Sequence, residues 1–176
     1  LSAGGAEYWV AAGTYVPTSG SDRTISFVLK SGVGLYGGFS GSETLRSQRD
    51  PATNITVLSG DLNGDDDGFS NNGENSYHVV WADGVDSSAV LDGFTIRGGN
   101  GDGSSVPHNY GGGMYCTDCN ITVSQCNITG NSANNNGGGL YSNESNITVS
   151  HSTLSYNSAT LGAGMYNRNG NSLATS

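Results

Sequence analysis

Four oxygen-bearing residues at alternate positions, Asp61, Asn63, Asp65 and Asp67, followed by Gly68, are the sharpest chemical pattern in the chain. Alternate side chains of a tight loop can turn several oxygens toward one centre, and calcium takes about six to eight of them. The spacing is that of the first half of a calcium-binding loop. Where a bidentate glutamate closes such a loop this chain has Asn72, with Glu74 two residues on. A structural Ca2+ ion and a hydrated acidic turn are the two readings of this stretch.

Cys116 and Cys119 form a CxxC whose equivalents in the next repeat are Ser142 and Ser145. In an oxidising compartment they read as a local disulfide, with two free thiols as the alternative. Cys126 falls in an inward row and reads as a small buried hydrophobe. Zinc is not expected, because three cysteines without a fourth nearby ligand leave its shell incomplete. Tyr115, Tyr141 and Tyr166 recur at one repeat position, beside an inward row and hence facing out. They read either as a platform for the apolar face of a sugar or as plain cross-strand stacking. Asn54, Asn120, Asn127, Asn143 and Asn146 open N-x-S/T triplets and are candidate glycosylation positions, in a chain whose composition generates such triplets freely.

Catalytic constellations are thinner. Ser59–Asp61 and Ala82–Gly84 lie one expected coil length apart, which would bring Asp61 and Asp83 toward the spacing of a glycosidase pair. A lyase would need a basic residue beside its acidic cluster, and of Lys30, Arg97 and the loop arginines the sequence places none beside Asp61. His78, His108 and His151 have no serine or cysteine motif around them. The carboxylates therefore read as turn residues and metal ligands, and the expectation is a protein that is not an enzyme.

The elements that position these groups are repeats. Residues 111–134 and 137–160 agree at 12 of 24 positions without a gap, and a third copy opens at residue 162. Within a copy, Ile121, Val123, Cys126 and Ile128 alternate with polar residues, which suits short half-buried strands. Such a unit cannot bury its apolar face alone, whereas stacked copies pair every strand and enclose one core. The fold expected is all-β, a right-handed parallel β-helix (β-solenoid) of six or seven coils with about 22–26 residues each. Met114, Leu140 and Met165 should share an inward row, and Asn131 and Asn157 should stack at a turn. Residues 1–176 read as one domain, less regular over 1–110 and regular over 111–176.

Net charge is −9, with 6 Lys and Arg against 15 Asp and Glu. That balance disfavours phosphate backbones, so nucleic acid is not an expected partner. No stretch approaches the ~20 apolar residues of a membrane-spanning helix. Low charge with many Gly, Asn, Ser and Thr points to an extracellular or cell-surface location. Both ends enter or leave a strand in mid-coil, so a fragment, or one subunit of a longer assembly, is expected.

The run LKSGVGLYGGFSGSETLRSQRDPATNITVLSGDLNGDDDG, with NSYHVV, LDGFTIRGGNGDG and the GGGMY and GGGLY copies, resembles secreted bacterial right-handed parallel β-helix repeat proteins. The copies are similar to polymorphic outer membrane protein repeats, matching at Gly112–Met114 with Ile128–Asn131, and at Gly138–Leu140 with Leu154–Asn157. Gly stands where those repeats usually have Ala, and Ile or Leu where they have Phe. The resemblance implies the fold more than any one activity, since this fold hosts lyases, adhesins and fibres alike. The expected function is an extracellular structural or adhesive element that assembles with itself end to end, with surface glycans as further partners. A polysaccharide-acting enzyme (lyase or glycoside hydrolase) and a carbohydrate-binding module are the alternatives.

Overall fold

The computed structural model describes residues 5–175. The chain makes repeated passes of short strands. The first pass holds β1 (Ala6–Ala11), β2 (Gly13–Tyr15) and β3 (Phe27–Val28), and the second β4 (Val33–Phe39), β5 (Thr56–Ser59) and β6 (Val80–Asp83). The third holds β7 (Val90–Asp92), β8 (Phe94–Arg97), β9 (Asn100–Gly101) and β10 (Met114–Thr117). The fourth holds β11 (Asn120–Ser124), β12 (Asn127–Thr129), β13 (Ser132–Ala133) and β14 (Leu140–Asn143). The fifth holds β15 (Asn146–Ser150), β16 (Thr153–Ser155) and β17 (Met165–Arg168), before β18 (Leu173–Thr175).

Every pass visits three sheets in the same order. The sheets read β1-β4-β7-β11-β15-β18, β2-β5-β8-β12-β16 and β3-β6-β10-β14-β17, and β9 pairs separately with β13. All named strand pairs are parallel, so each strand is bonded to its counterparts one pass away and never to its sequence neighbour. Among the described residues the architecture is thus all-β, with parallel sheets and one short 3₁₀ turn at Arg46–Gln48, an arrangement compatible with a β-solenoid.

Alternation decides which side chains go inward. Ile121 and Val123 are buried while Asn120 is exposed, and Ile147 and Val149 repeat the pattern in register on the next pass. Met114 pairs with Leu140, and Leu140 with Met165, the inward row expected from the sequence. Leu58, Val80, Leu91, Phe94, Ile96, Met114, Ile128 and Leu140, drawn from all three sheets, belong to one buried cluster.

The turns carry a polar ladder. Asn131 is fully buried and its Nδ2 donates to Ile96 O at 3.0 Å and to Asn157 Oδ1 at 3.1 Å, so the expected amide-to-amide bond is present. Its own Oδ1 accepts from the Gly99 N–H at 3.0 Å, tying three passes together. This contact explains the glycine that replaces alanine in the repeat. A Cβ on Gly113 would lie 2.5 Å from Gly139 O and 2.8 Å from Asn131 Nδ2, leaving no room for a methyl group.

The one-coil spacing read between Asp61 and Asp83 does not hold. Ser59 pairs with Arg97, and Asp83 with Thr117, partners that lie well beyond one expected coil length along the chain. Ser59 and Asp83 end successive strands in different sheets, so Asp61 and Asp83 are not equivalent positions on adjacent coils. Loops inserted at the turns, chiefly 60–79 and 102–113, lengthen these passes without disturbing the stack. Only the later passes, from Met114 to Leu140 and from Leu140 to Met165, keep the expected length.

The excursion after β4 folds back onto the stack through charge. Arg49 Nη2 sits 2.5 Å from Asp92 Oδ1, with side chains 10% and 13% exposed, and Asp92 also accepts from Ser124 Oγ at 2.7 Å. Gly93, at φ +82°, makes the space, because a Cβ there would meet Arg49 Nη1 at 2.7 Å. Removing either charge would leave the other buried and unpaired, a loss of about 3–5 kcal/mol.

The inward row gives a direct test. Leu140→Ala should cost about 2–5 kcal/mol in urea unfolding followed by circular dichroism, because Leu140 is fully buried between two occupied rungs. Thr148→Ala, on the exposed face of the neighbouring strand, should change the midpoint little.

Candidate functional site

The acidic loop leaves the stack at the end of β5. Asp61 organises it: Oδ1 accepts from the N–H groups of Gly64 at 2.6 Å and Asp65 at 3.2 Å, and Oδ2 from that of Asp66 at 3.4 Å. An aspartate bonding to amides ahead of it is the usual device for closing a polar turn. The loop then returns past Glu74. Asp61, Asp65 and Glu74 each present a ligand oxygen, all within 4.8 Å of one another.

This set differs from the one expected. Asp67 lies outside it and instead exchanges backbone bonds with Ser70, at 3.2 and 3.0 Å, in a small reversal of the chain. Asn63 is exposed. Glu74, which the sequence placed beyond the usual closing position, takes part because that reversal shortens the path back. Alternate spacing along the chain does not anticipate the fold-back that brings Glu74 to Asp61 and Asp65.

Three buried oxygens around this group have no hydrogen-bond partner: Asp66 Oδ1, Glu74 Oε1 and Asn75 Oδ1. Burial, and then the charges of Asp61, Glu74 and Asp65, push the Asp66 carboxyl above its ordinary value against the opposing bond from Asn75 Nδ2, 2.8 Å away. Crowded carboxylates with orphaned oxygens fit a hard cation, which takes oxygen ligands and offsets the repulsion. A cleft of about 290 Å³ opens beside the loop, lined among others by Ser59, Asp61, Asp66, Arg97 and Thr129. Arg97 reaches it because its strand pairs Arg97 with Ser59. The sequence placed no base beside Asp61; register alone brings this one there.

Cys116 and Cys119 are paired with each other, and Cys126 is buried and free, its thiol pushed up to about 12 by burial. In the next pass hydroxyls replace the sulfurs. Ser145 Oγ accepts from the Cys119 N–H at 3.0 Å and donates to Asn143 O at 2.6 Å. Of the five candidate glycosylation positions, Asn54 and Asn143 are half-buried, and Asn146 Nδ2 donates to Asn120 Oδ1 at 2.9 Å. Asn127 is exposed and its side chain makes no hydrogen bond among the described residues.

The tyrosine column exists, but as an interior ladder on the outer side of the third sheet. Tyr115 is 8% exposed and Tyr141 4%. Trp81, Tyr115, Tyr141 and Tyr166 stack in order, with centroid separations of 4.6, 5.3 and 5.9 Å, and Tyr110 from the 102–113 loop stacks on Tyr141 at 4.7 Å. Ring faces so occupied cannot receive a sugar, so Tyr115 and Tyr141 are not a carbohydrate platform; Tyr166 stacks with one face on Tyr141. Cross-strand stacking, worth about 0.2–1 kcal/mol per pair, is what the column does. Trp81 as its first rung escaped the sequence reading. The signal was there in Val80-Trp81-Ala82, which repeats the inward–aromatic–small order of Met114-Tyr115-Cys116 and Leu140-Tyr141-Ser142.

His78 packs beside the ladder, 5.4 Å from Trp81 and 5.2 Å from Tyr115 between ring centroids, and is 2% exposed. Burial pushes its imidazole down to about 4, aided by the charge of His108 and opposed by bonds to the Gly111 and Tyr110 backbone. The chain matches no family model, no curated protein and no solved structure.

Because the folded state holds His78 neutral while the unfolded chain takes up a proton near pH 6.5, acidification favours unfolding. Stability should be complete above about pH 6.5 and fall by on the order of 3 kcal/mol as pH drops toward 4. Asp66, whose carboxyl is raised, acts in the opposite sense on acidification, so the comparison that isolates His78 is with His78→Asn. Urea midpoints between pH 7 and pH 4.5 should show a clearly shallower slope in the variant.

Proposed function

We propose that the chain is a right-handed parallel β-helix serving as an extracellular structural or adhesive element, which joins further copies of itself edge to edge. The observation that carries this reading is the parallel pairing of every main-sheet strand with its counterpart one pass away, a pattern that a further pass, from this chain or from another copy, continues without change. β1, β2 and β3 lie at one end of the stack, and β18, β16 and β17 at the other, each with one partner among the described residues. Such an edge presents a row of unpaired N–H and C=O groups to any matching strand. Joining unlike ends repeats without closing, so the product is a filament.

Three features support the helix itself: a fixed order of visits to the sheets, a shared core, and the strong right-handed preference of parallel crossover connections. The resemblance of the repeats to secreted bacterial β-helix proteins supports the location. The acidic loop takes a calcium ion in this reading, through Asp61, Asp65 and Glu74, which fastens the longest insertion to the stack.

One observation favours a second reading, a polysaccharide-acting enzyme: Arg97 shares its cleft with Asp61 and Asp66. A lyase needs a cation on the uronate carboxylate and a base opposite: the base takes the C5 proton, the C4–C5 double bond forms, and the C4–O bond breaks as the leaving sugar oxygen takes up a proton. The absence of new unsaturated ends after incubation with acidic polysaccharides would remove this reading.

Two experiments test the first. Sedimentation and electron microscopy of concentrated protein should show rods that lengthen with concentration. Thr14→Pro, which removes an N–H from edge strand β2, should shorten them without lowering the melting temperature by more than a few degrees. Monodisperse rods of unchanging length would sink the proposal. Separately, millimolar calcium should raise the melting temperature at pH 7 by several degrees, and Asp61→Asn with Glu74→Gln should abolish the gain. No shift with calcium removes the ion and leaves edge pairing standing.

A further inference from the structure

The aromatic ladder stops at Trp81. In the third sheet the next rung toward the edge is Val28, in register with Trp81 and 57% exposed. An isopropyl group is too short to cover an indole face, and Trp81 is only half-buried. A cavity of about 270 Å³ occupies the place a further ring would fill, lined by Thr24, Ser26, Val28, His78, Trp81 and His108.

The wall of this cavity holds an unmet bond. His78 Nδ1 is 3.0 Å from Gly111 O, and since a carbonyl oxygen only accepts, Nδ1 carries the proton. Nε2 of the neutral ring is then a lone-pair acceptor. It is buried and has no partner. A buried acceptor left unsatisfied is a standing penalty, which a ligand donor would relieve.

The lining also defines charge. No carboxylate, ammonium or guanidinium lines the cavity, and the charged residues that precede Thr24 in the chain are already engaged. Asp22 accepts from Thr24 Oγ1 at 2.7 Å, and Arg23 pairs with Asp102 at 2.6 Å. The occupant must therefore be uncharged, flat and apolar on one face, and must carry a hydroxyl at its rim. A pyranose has that form: its axial C–H face packs on an indole while its equatorial hydroxyls point sideways. A purely apolar ring would fill the rung and leave Nε2 unmet.

We propose that this cavity binds a neutral pyranose unit of a glycan, stacked on the free face of Trp81, with one hydroxyl donating to His78 Nε2. His108, on the 102–113 loop, borders the cavity, its ring stacked on Tyr77 at 4.4 Å and 6.0 Å from that of His78 between centroids. The sugar continues the ladder where the protein's own rings end. The site borders edge strand β3 through Val28 and uses none of the carboxylates of the acidic loop.

The test is titration of the whole chain with soluble neutral oligosaccharides of glucose, mannose, galactose and N-acetylglucosamine, read by calorimetry and tryptophan fluorescence. At least one series should bind saturably, and Trp81→Ala should weaken it at least tenfold. His78→Asn, whose amide can still donate to Gly111 O, should weaken it about tenfold. Val28→Trp fills the vacant rung from an exposed position, so it should abolish binding while keeping or raising the melting temperature. That variant separates loss of the site from loss of the fold. Binding that survives Val28→Trp, no binding by any series, or binding of phenylalanine amide or uronic acid oligomers in place of the neutral sugars would overturn the proposal.

Discussion

Each strand in this protein owes its hydrogen bonds to strands in adjoining passes, and none to the strand that follows it in sequence. Parallel pairing across passes is therefore the constraint on which everything else rests. A strand this short has no stability alone, and a single pass encloses nothing. Once passes stack in register, inward side chains fall into rows, and the same register carries a methionine–leucine row inside and an aromatic row outside. Both rows are consequences of one geometric repeat.

Polar groups are arranged on the same principle. The buried Asn131 amide joins three passes because equivalent turn positions lie one strand spacing apart. Ser142, Ser145 and Ser152 bond to neighbouring passes or to their own turns in the same way. Insertions break the periodicity only at the turns, where the chain can leave and return without unpairing a strand. The two most developed insertions, the excursion anchored by Arg49 on Asp92 and the acidic loop organised by Asp61, return through charge and hydrogen bonds rather than through further strands.

This division also explains where binding chemistry can arise. The stack itself is saturated, since its rings face rings and its amides face amides. Unsatisfied groups collect where regularity stops: in the acidic loop with its orphaned oxygens, and at Trp81, where the ladder meets a valine.

The amino-acid sequence by itself determined the strands, the alternation, the order Met114–Leu140–Met165 and the Asn131–Asn157 contact, because copies that agree at half their positions without a gap carry their own alignment. Tertiary structure decided the rest. The convergence of Glu74 with Asp61 and Asp65, the approach of Arg97 to the same cleft, the burial of Tyr115 and Tyr141 and the open rung beside Trp81 all depend on how unlike insertions fold back and on which strands they separate. No periodicity spans an insertion, so distance along the chain ceases there to measure distance in space.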